Sequence, residues 1–298
     1  MGTLIDRVAL AHGGWRNRHS ALHLAVKTAK DCLQQAGREP HDVDLLVNAG
    51  IYRDRNLGEP ALAAMIQEDI DANPENPHAG THGTFSFDIA NGTCGVLTAL
   101  QIVDGFLKSH AIDCALVVAS DANPGRGMSE HFPFSPAGAA MLCDWTDDDY
   151  GLERIHWVNV SDEGENFNAT VGLVDRRNVL RFAESDAVDE RFAAAAMQAI
   201  DECLRESELR LDDIDAIVAA PARPRYRADL AAHLGVPEER VVVCEDQSMH
   251  TASLAAAFDR VAHRLQQSDR VLLVTAGAGI TAGAALYRMP APMPSADV

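Results

Sequence analysis

The sequence predicts an α/β protein built from two similar halves, and two internal repeats together with the composition predict it. Residues 31–49 (DCLQQAGREPHDVDLLVNA) and 202–220 (ECLRESELRLDDIDAIVAA) align without a gap at a separation of 171 residues, from 31 to 202. Cys32 then matches Cys203, Leu33 matches Leu204, Asp42 matches Asp213, Asp44 matches Asp215 and Val47 matches Val218. Each copy reads as the end of an amphipathic helix, a polar loop and an apolar run suited to a buried strand. A second pair, residues 94–120 and 250–276, repeats at 156 residues, from 94 to 250, and runs from a helix into the strands DCALVVAS and DRVLLVTA. Two matches in the same order argue for duplication. Alternating strands and helices imply largely parallel sheets covered by helices. Hydrophobic residues make up 47% of the 298, with few aromatics, as in an ordinary soluble α/β chain.

The remaining elements follow from periodicity and turn residues. Helices are expected near 19–36, 60–68, 187–207 and 226–234, and strands near 85–90, 137–143, 152–160, 240–243 and 282–288. Pro and Gly mark 121–136 (DANPGRGMSEHFPFSP) as a loop, and 71–84 reads the same way. The halves divide as 1–160 and 161–298, with only a stub before the first helix and a tail from Pro290 that reads as disordered.

Charge and cysteine usage narrow the function classes. The formal net charge is −19, from 44 acidic and 25 basic residues, and such a surface repels a phosphate backbone. Nucleic-acid binding is therefore not expected. No apolar run reaches membrane-spanning length, and the first twenty residues lack the apolar core of a signal peptide. The six cysteines form no C-x-x-C pair, so neither a metal site nor a disulfide framework is indicated. A reduced, cytoplasmic protein is the expectation.

Three segments carry a family resemblance. FDIANGTCGVLTALQIVDGFLKS resembles the strand, nucleophile turn and central helix of ketosynthase III proteins, of the thiolase superfamily. HTASLAAAF, from His250, is similar to that family's late helix, and VLLVTAGAGITAGAALYRM is similar to its closing strands around a Gly-rich turn. With the repeats, the resemblance covers roughly residues 20–289. It implies a thiolase-like fold, a layered sandwich of the two halves around central buried helices. It also implies a cysteine at a helix N-terminus, where amides and the helix dipole favour the thiolate that attacks an acyl thioester. A His from the second half and an Asn, or a His in related branches, would assist, and backbone amides would hold the oxyanion.

This chain departs from that pattern. Ungapped alignment puts Thr93 at the nucleophile position and Cys94 one residue late, a rotation of about 100° on a helix. One extra turn residue would restore Cys94, so both stay open. Ala220 stands where the family His belongs and cannot move a proton. His250 stands at the Asn position, where it can be either a helix-start polar group or a base. The N–H of Ala278, in the Gly-rich turn, is the expected oxyanion donor. Arg223, Arg225 and Arg227 read either as a clamp for the phosphates of CoA or a phosphopantetheine arm, or as a solvated helix start.

The resemblance implies no permanently bound cofactor, with CoA or phosphopantetheine as the substrate's carrier. Acyl-CoA or an acyl carrier protein is the expected partner, together with a homodimer or a heterodimer with a ketosynthase-like chain. The degenerate triad points to an assisting or non-catalytic subunit of a condensing or acyl-transfer complex. An acyltransferase using Cys94 with His250 is the alternative.

Overall fold

In a computed structural model, residues 1–14, 20–53, 62–73, 83–125, 127–161, 164–277 and 279–290 are described. The first half runs β1 (Gly2–His12), α1 (Ala21–Ala36), β2 (Leu45–Asn48), α2 (Leu62–Ile70), β3 (Phe85–Asp88), α3 (Gly95–Lys108), β4 (Cys114–Asp121) and β5 (Ala137–Thr146). The second runs β6 (Gly151–Asn159), β7 (Phe167–Val174), β8 (Arg177–Glu184), α4 (Val188–Glu206), β9 (Ala216–Ala220), α5 (Pro224–Leu234), β10 (Val241–Val242), α6 (Ser253–Ala262), β11 (Arg270–Gly277) and β12 (Thr281–Arg288).

The duplication is visible in the strand order. The sheet reads β10-β9-β11-β12-β6-β1-β5-β4-β2-β3, a palindrome about the β6/β1 junction. In each half two neighbouring pairs are parallel and two antiparallel, at corresponding places. The repeats found in the sequence are β2 with β9, and α3–β4 with α6–β11. Each half's strands are thus mixed rather than largely parallel, and one pairing, Thr3 with Leu152, joins them, so hydrogen bonding runs through ten strands. By this symmetry β6 is the second half's counterpart of β1. The boundary therefore falls between β5 and β6, earlier than residue 160.

The expected N-terminal stub is instead an eleven-residue strand. Its sequence, GTLIDRVALAH, mixes Asp and Arg into the apolar run, which obscures the strand in the sequence. The structure nonetheless pairs it along its length with β5. Residues 167–184, which carried no expected element, form the β7–β8 hairpin.

Alternation along the strands separates two apolar faces. Leu45, Val47, Ala115 and Val117 join the core around α3, whereas Leu46, Leu116 and Val118 join α1 and α2 on the other face. Helix α1 is bounded by its own ends. Ser20 accepts from the His23 N–H, and Gly37 closes the helix at φ 65°, a left-handed conformation that glycine adopts without a Cβ penalty. Helices α3 and α6 pack together, and α6 touches strands of both halves. No helix among the described residues is long and apolar enough to cross a membrane.

The α3 core is tight at Gly283. A Cβ there would lie 2.6 Å from the Trp157 ring and 2.9 Å from Leu97. Trp157 cannot swing freely, because its Nε1–H donates to Gln101 Oε1 at 2.8 Å. Gly283→Ala should destabilise the fold by about 1–3 kcal/mol through overpacking, measured as a lower midpoint in urea unfolding with an unchanged slope.

Candidate functional site

The site begins where α3 begins. Gly92, at φ 51°, turns the chain out of the β3 segment, and Gly95 lets the helix start approach β2, since a Cβ would sit 3.2 Å from Ala49. Between them Thr93 and Cys94 face different ways. The Thr93 hydroxyl donates to the Ala276 carbonyl and lines a pocket. Cys94 is 0% exposed, and its Sγ lies 3.5 Å from the Thr281 carbonyl, inside the core. Burial pushes its thiol up to about 12. Both residues fit because Gly277 has no side chain. A Cβ there would lie 2.9 Å from Thr93 Oγ1 and 3.2 Å from Cys94 Sγ.

His250 sits in the turn before α6, where the Ser253 N–H and hydroxyl both donate to its carbonyl. Its ring stacks on Phe134, with centroids 4.0 Å apart and planes 21° apart. Nδ1 lies 3.2 Å from Asp121 Oδ2. Asp121, at the end of β4, also accepts from the Thr251 N–H at 2.9 Å, the Thr251 hydroxyl at 2.6 Å, and the N–H groups of Ile51 and Tyr52 at 3.2 and 2.9 Å. Burial alone would raise this carboxyl. The His250 charge and hydrogen bond, with those of Thr251 and Tyr52, outweigh it and hold the group below the usual carboxylate range.

Thr93 and His250 open into one pocket of about 390 Å³. Phe134, Phe167, Phe182 and Phe192 supply apolar walls, the β7–β8 hairpin contributing two of them. Glu184 and Arg223 lie at its edge. Tyr52, Phe132, Phe134 and Phe182 form one edge-and-stack cluster that buttresses the imidazole. No group of His, Cys, Asp and Glu that could hold a metal ion occurs among the described residues.

Known proteins share this arrangement of elements. The family described as 3-Oxoacyl-[acyl-carrier-protein (ACP)] synthase III C terminal matches residues 204–289. The β-ketoacyl-[acyl-carrier-protein] synthase III of Ehrlichia canis is 26% identical over 307 residues, covering 95% of this chain and 91% of the relative. That of Sphingopyxis alaskensis is 28% identical over 310 residues, covering 95% and 90%. The crystal structure of 3-oxoacyl-(acyl carrier protein) synthase III from Pseudomonas aeruginosa superposes with a TM-score of 0.78, at 20% identity, over 99% of this chain and 100% of that one. The chain is a ketosynthase III-like protein. A variant of Xanthomonas campestris OleA with bound lauric acid and lauroyl-CoA superposes with a TM-score of 0.80, at 15% identity, over 97% and 99%. The priming β-ketosynthase of a polyketide biosynthetic pathway does so with 0.79, at 19% identity, over 98% and 97%.

In this ketosynthase III-like chain the structure brings together Thr93 and His250 but not Cys94. The pairing of Cys94 with His250 is therefore corrected: the sulfur is turned into the core and does not line the pocket. Ala220 ends β9, fully buried, and Pro221 after it reaches the pocket, so no base stands there. Two of the three arginines offered as a phosphate clamp already have partners inside the protein. Arg223 is held by Asp189 at 2.5 Å and Glu184 at 2.8 Å, so its charge is already neutralised. Arg227 donates to the carbonyls of Glu238 and Val241. Arg225 is exposed on the surface. Ala278 lies outside the described residues.

Sequence reasoning missed Asp121 and the phenylalanine walls. A carboxylate closing an otherwise apolar strand, at its carboxyl end, was the available signal for the first.

Two outcomes follow from the burial of these groups. In the native protein Cys94 should resist iodoacetamide at pH 8, since few thiolates form there, and should react only after denaturation, as followed by peptide mass. Asp121→Asn should cost about 1–3 kcal/mol at pH 7 by unbalancing a buried network. A carboxyl held below its ordinary 3.8 stabilises fully above that pH and loses the effect as pH falls below it. The stability difference between wild type and Asp121→Asn, from urea titrations, should therefore narrow as pH falls through that acidic range.

Proposed function

We propose that this ketosynthase III-like chain binds an acyl thioester of fatty acid or polyketide metabolism without condensing it, as the assisting subunit of a condensing or acyl-transfer complex. One observation carries the reading: among the described residues the pocket presents a hydroxyl and a single imidazole where condensation requires a thiolate and a second base. The only cysteine near it, Cys94, is buried with its thiol raised to about 12, and Ala220 replaces the second base. Thr93 is a poor substitute, because an unactivated hydroxyl is a weak nucleophile and its proton is committed to a backbone carbonyl.

The pocket itself is kept. Its volume of about 390 Å³ and its aromatic walls suit an acyl group delivered on CoA or on an acyl carrier protein. Strand β3 is the terminal strand of the sheet, and Phe85 on it is 60% exposed. An edge of this kind is suited to pairing with a second chain. The partner in this reading is a copy of the chain or a ketosynthase-like chain that supplies a complete triad.

Titration calorimetry with short and medium acyl-CoAs should show saturable binding, weakened about tenfold by Phe182→Ala. No condensation product should form with malonyl carrier protein. Native mass spectrometry after co-expression with a ketosynthase-like chain should show a mixed dimer. An acyl adduct on Cys94, or condensation by this chain alone, would overturn the proposal.

A further inference from the structure

His250 has one ring nitrogen engaged and the other open to the pocket. Asp121, which faces Nδ1, receives hydrogen bonds from the Ile51, Tyr52 and Thr251 amides and from the Thr251 hydroxyl. A carboxylate so surrounded by donors stays ionised, and an ionised carboxylate can only accept. Nδ1 therefore carries the proton, and in the neutral ring Nε2 carries the lone pair. Stacking on Phe134 fixes the ring plane, and Tyr52 lies 5.4 Å away. Among the described residues Nε2 makes no hydrogen bond, and it faces the turn before α3, since a Cβ on Gly92 would lie 3.6 Å from it. Thr93 follows in that same turn. With its proton on the Ala276 carbonyl, its oxygen is left as an acceptor for another O–H.

A base nitrogen and an acceptor oxygen on the wall of one largely apolar pocket form a seat for water. We propose that Asp121 and His250 form a general-base dyad that hydrolyses the bound acyl thioester directly, with no acyl-enzyme intermediate. The step balances on these groups alone. Nε2 takes one proton from water as its oxygen bonds to the thioester carbonyl carbon. The tetrahedral oxyanion then collapses, the C–S bond breaks, and the departing thiolate takes the proton from Nε2. The products are the carboxylic acid and the free thiol of the carrier. His250 is the catalytic residue, and Asp121 is a positioning residue that fixes its tautomer and direction. Without that carboxylate the imidazole can present N–H to the pocket in place of a lone pair. No thiol lines the pocket among the described residues, and the Thr93 proton is already given to the Ala276 carbonyl, so water is the nucleophile left for the dyad to activate.

This inference rests on the thioester-binding reading above, and the experiment separates the two. Acyl-CoA binding is first measured by calorimetry; thiol release is then followed at saturating acyl-CoA in ¹⁸O-water, and the acid is analysed by mass. The expected result is saturable thiol release with one ¹⁸O in the acid and no acyl mass on the protein. His250→Gln should lower kcat about 100-fold. Asp121→Asn should lower kcat at least about tenfold with little change in KM, the split expected of a positioning group. Asp121→Glu should restore part of the loss. Bound acyl-CoA with no release above the uncatalysed rate would overturn the dyad and leave the binding reading standing, whereas no binding at all would overturn both. Accumulation of an acyl adduct on Thr93, or wild-type kcat in both His250→Gln and Asp121→Asn, would also overturn it. The wild type alone decides the route even if one variant fails to fold: thiol and acid should appear together, whereas a burst of thiol ahead of the acid would mark an acyl-enzyme and overturn the direct route.

Discussion

A carboxylate sealed from water must find donors inside the protein, and Asp121 finds them in both halves of the chain. The loop after β2 supplies the Ile51 and Tyr52 amides, and the turn before α6 supplies His250 and Thr251. Leaving such a charge unpartnered would cost several kcal/mol, so these segments are fixed relative to one another by the need to satisfy it. The direction of the His250 ring, the seat of Tyr52 against it and the packing of Phe134 on its face all depend on that arrangement.

The pseudo-symmetry gives this joint a counterpart of opposite character. Strands β4 and β11 correspond residue for residue in the 156-residue repeat, so Asp121 and Gly277 occupy matching ends. At the first, a side chain reaches out to hold the helix start of the other half. At the second, the side chain is missing, which lets Thr93 and Cys94 close onto the strand. One end gathers the site by attraction and the other by making room. The same closeness that seats Thr93 pins Cys94 against the Thr281 carbonyl, where its thiol stays protonated.

Much of the fold was legible because it is written in local patterns that occur twice. The strands LLVN and CALVVASD are apolar up to their polar carboxyl ends, as suits strands buried on both faces. The convergence of Thr93 and His250 followed from the matched helix starts. Strand β1 escaped because its charged residues break the apolar run, although pairing with β5 secures it. The tasks of Arg223 and Arg227 escaped for another reason. Their partners, Asp189, Glu184 and Glu238, sit elsewhere in the chain, and no spacing within ARPRYR announces them. Asp121 was visible as a residue, but its role depends on five donors that only folding assembles.

The β7–β8 hairpin lies between β6 and α4 of the second half and contributes two phenylalanines to the pocket wall. The two carry unequal constraints. Phe182 packs on Tyr52 and Phe134, the rings that hold the imidazole, whereas Phe167 lines the pocket outside that cluster. A lineage carrying this architecture can reshape the pocket by rewriting one short ribbon at Phe167, while Phe182 keeps that ribbon tied to the rings around the imidazole.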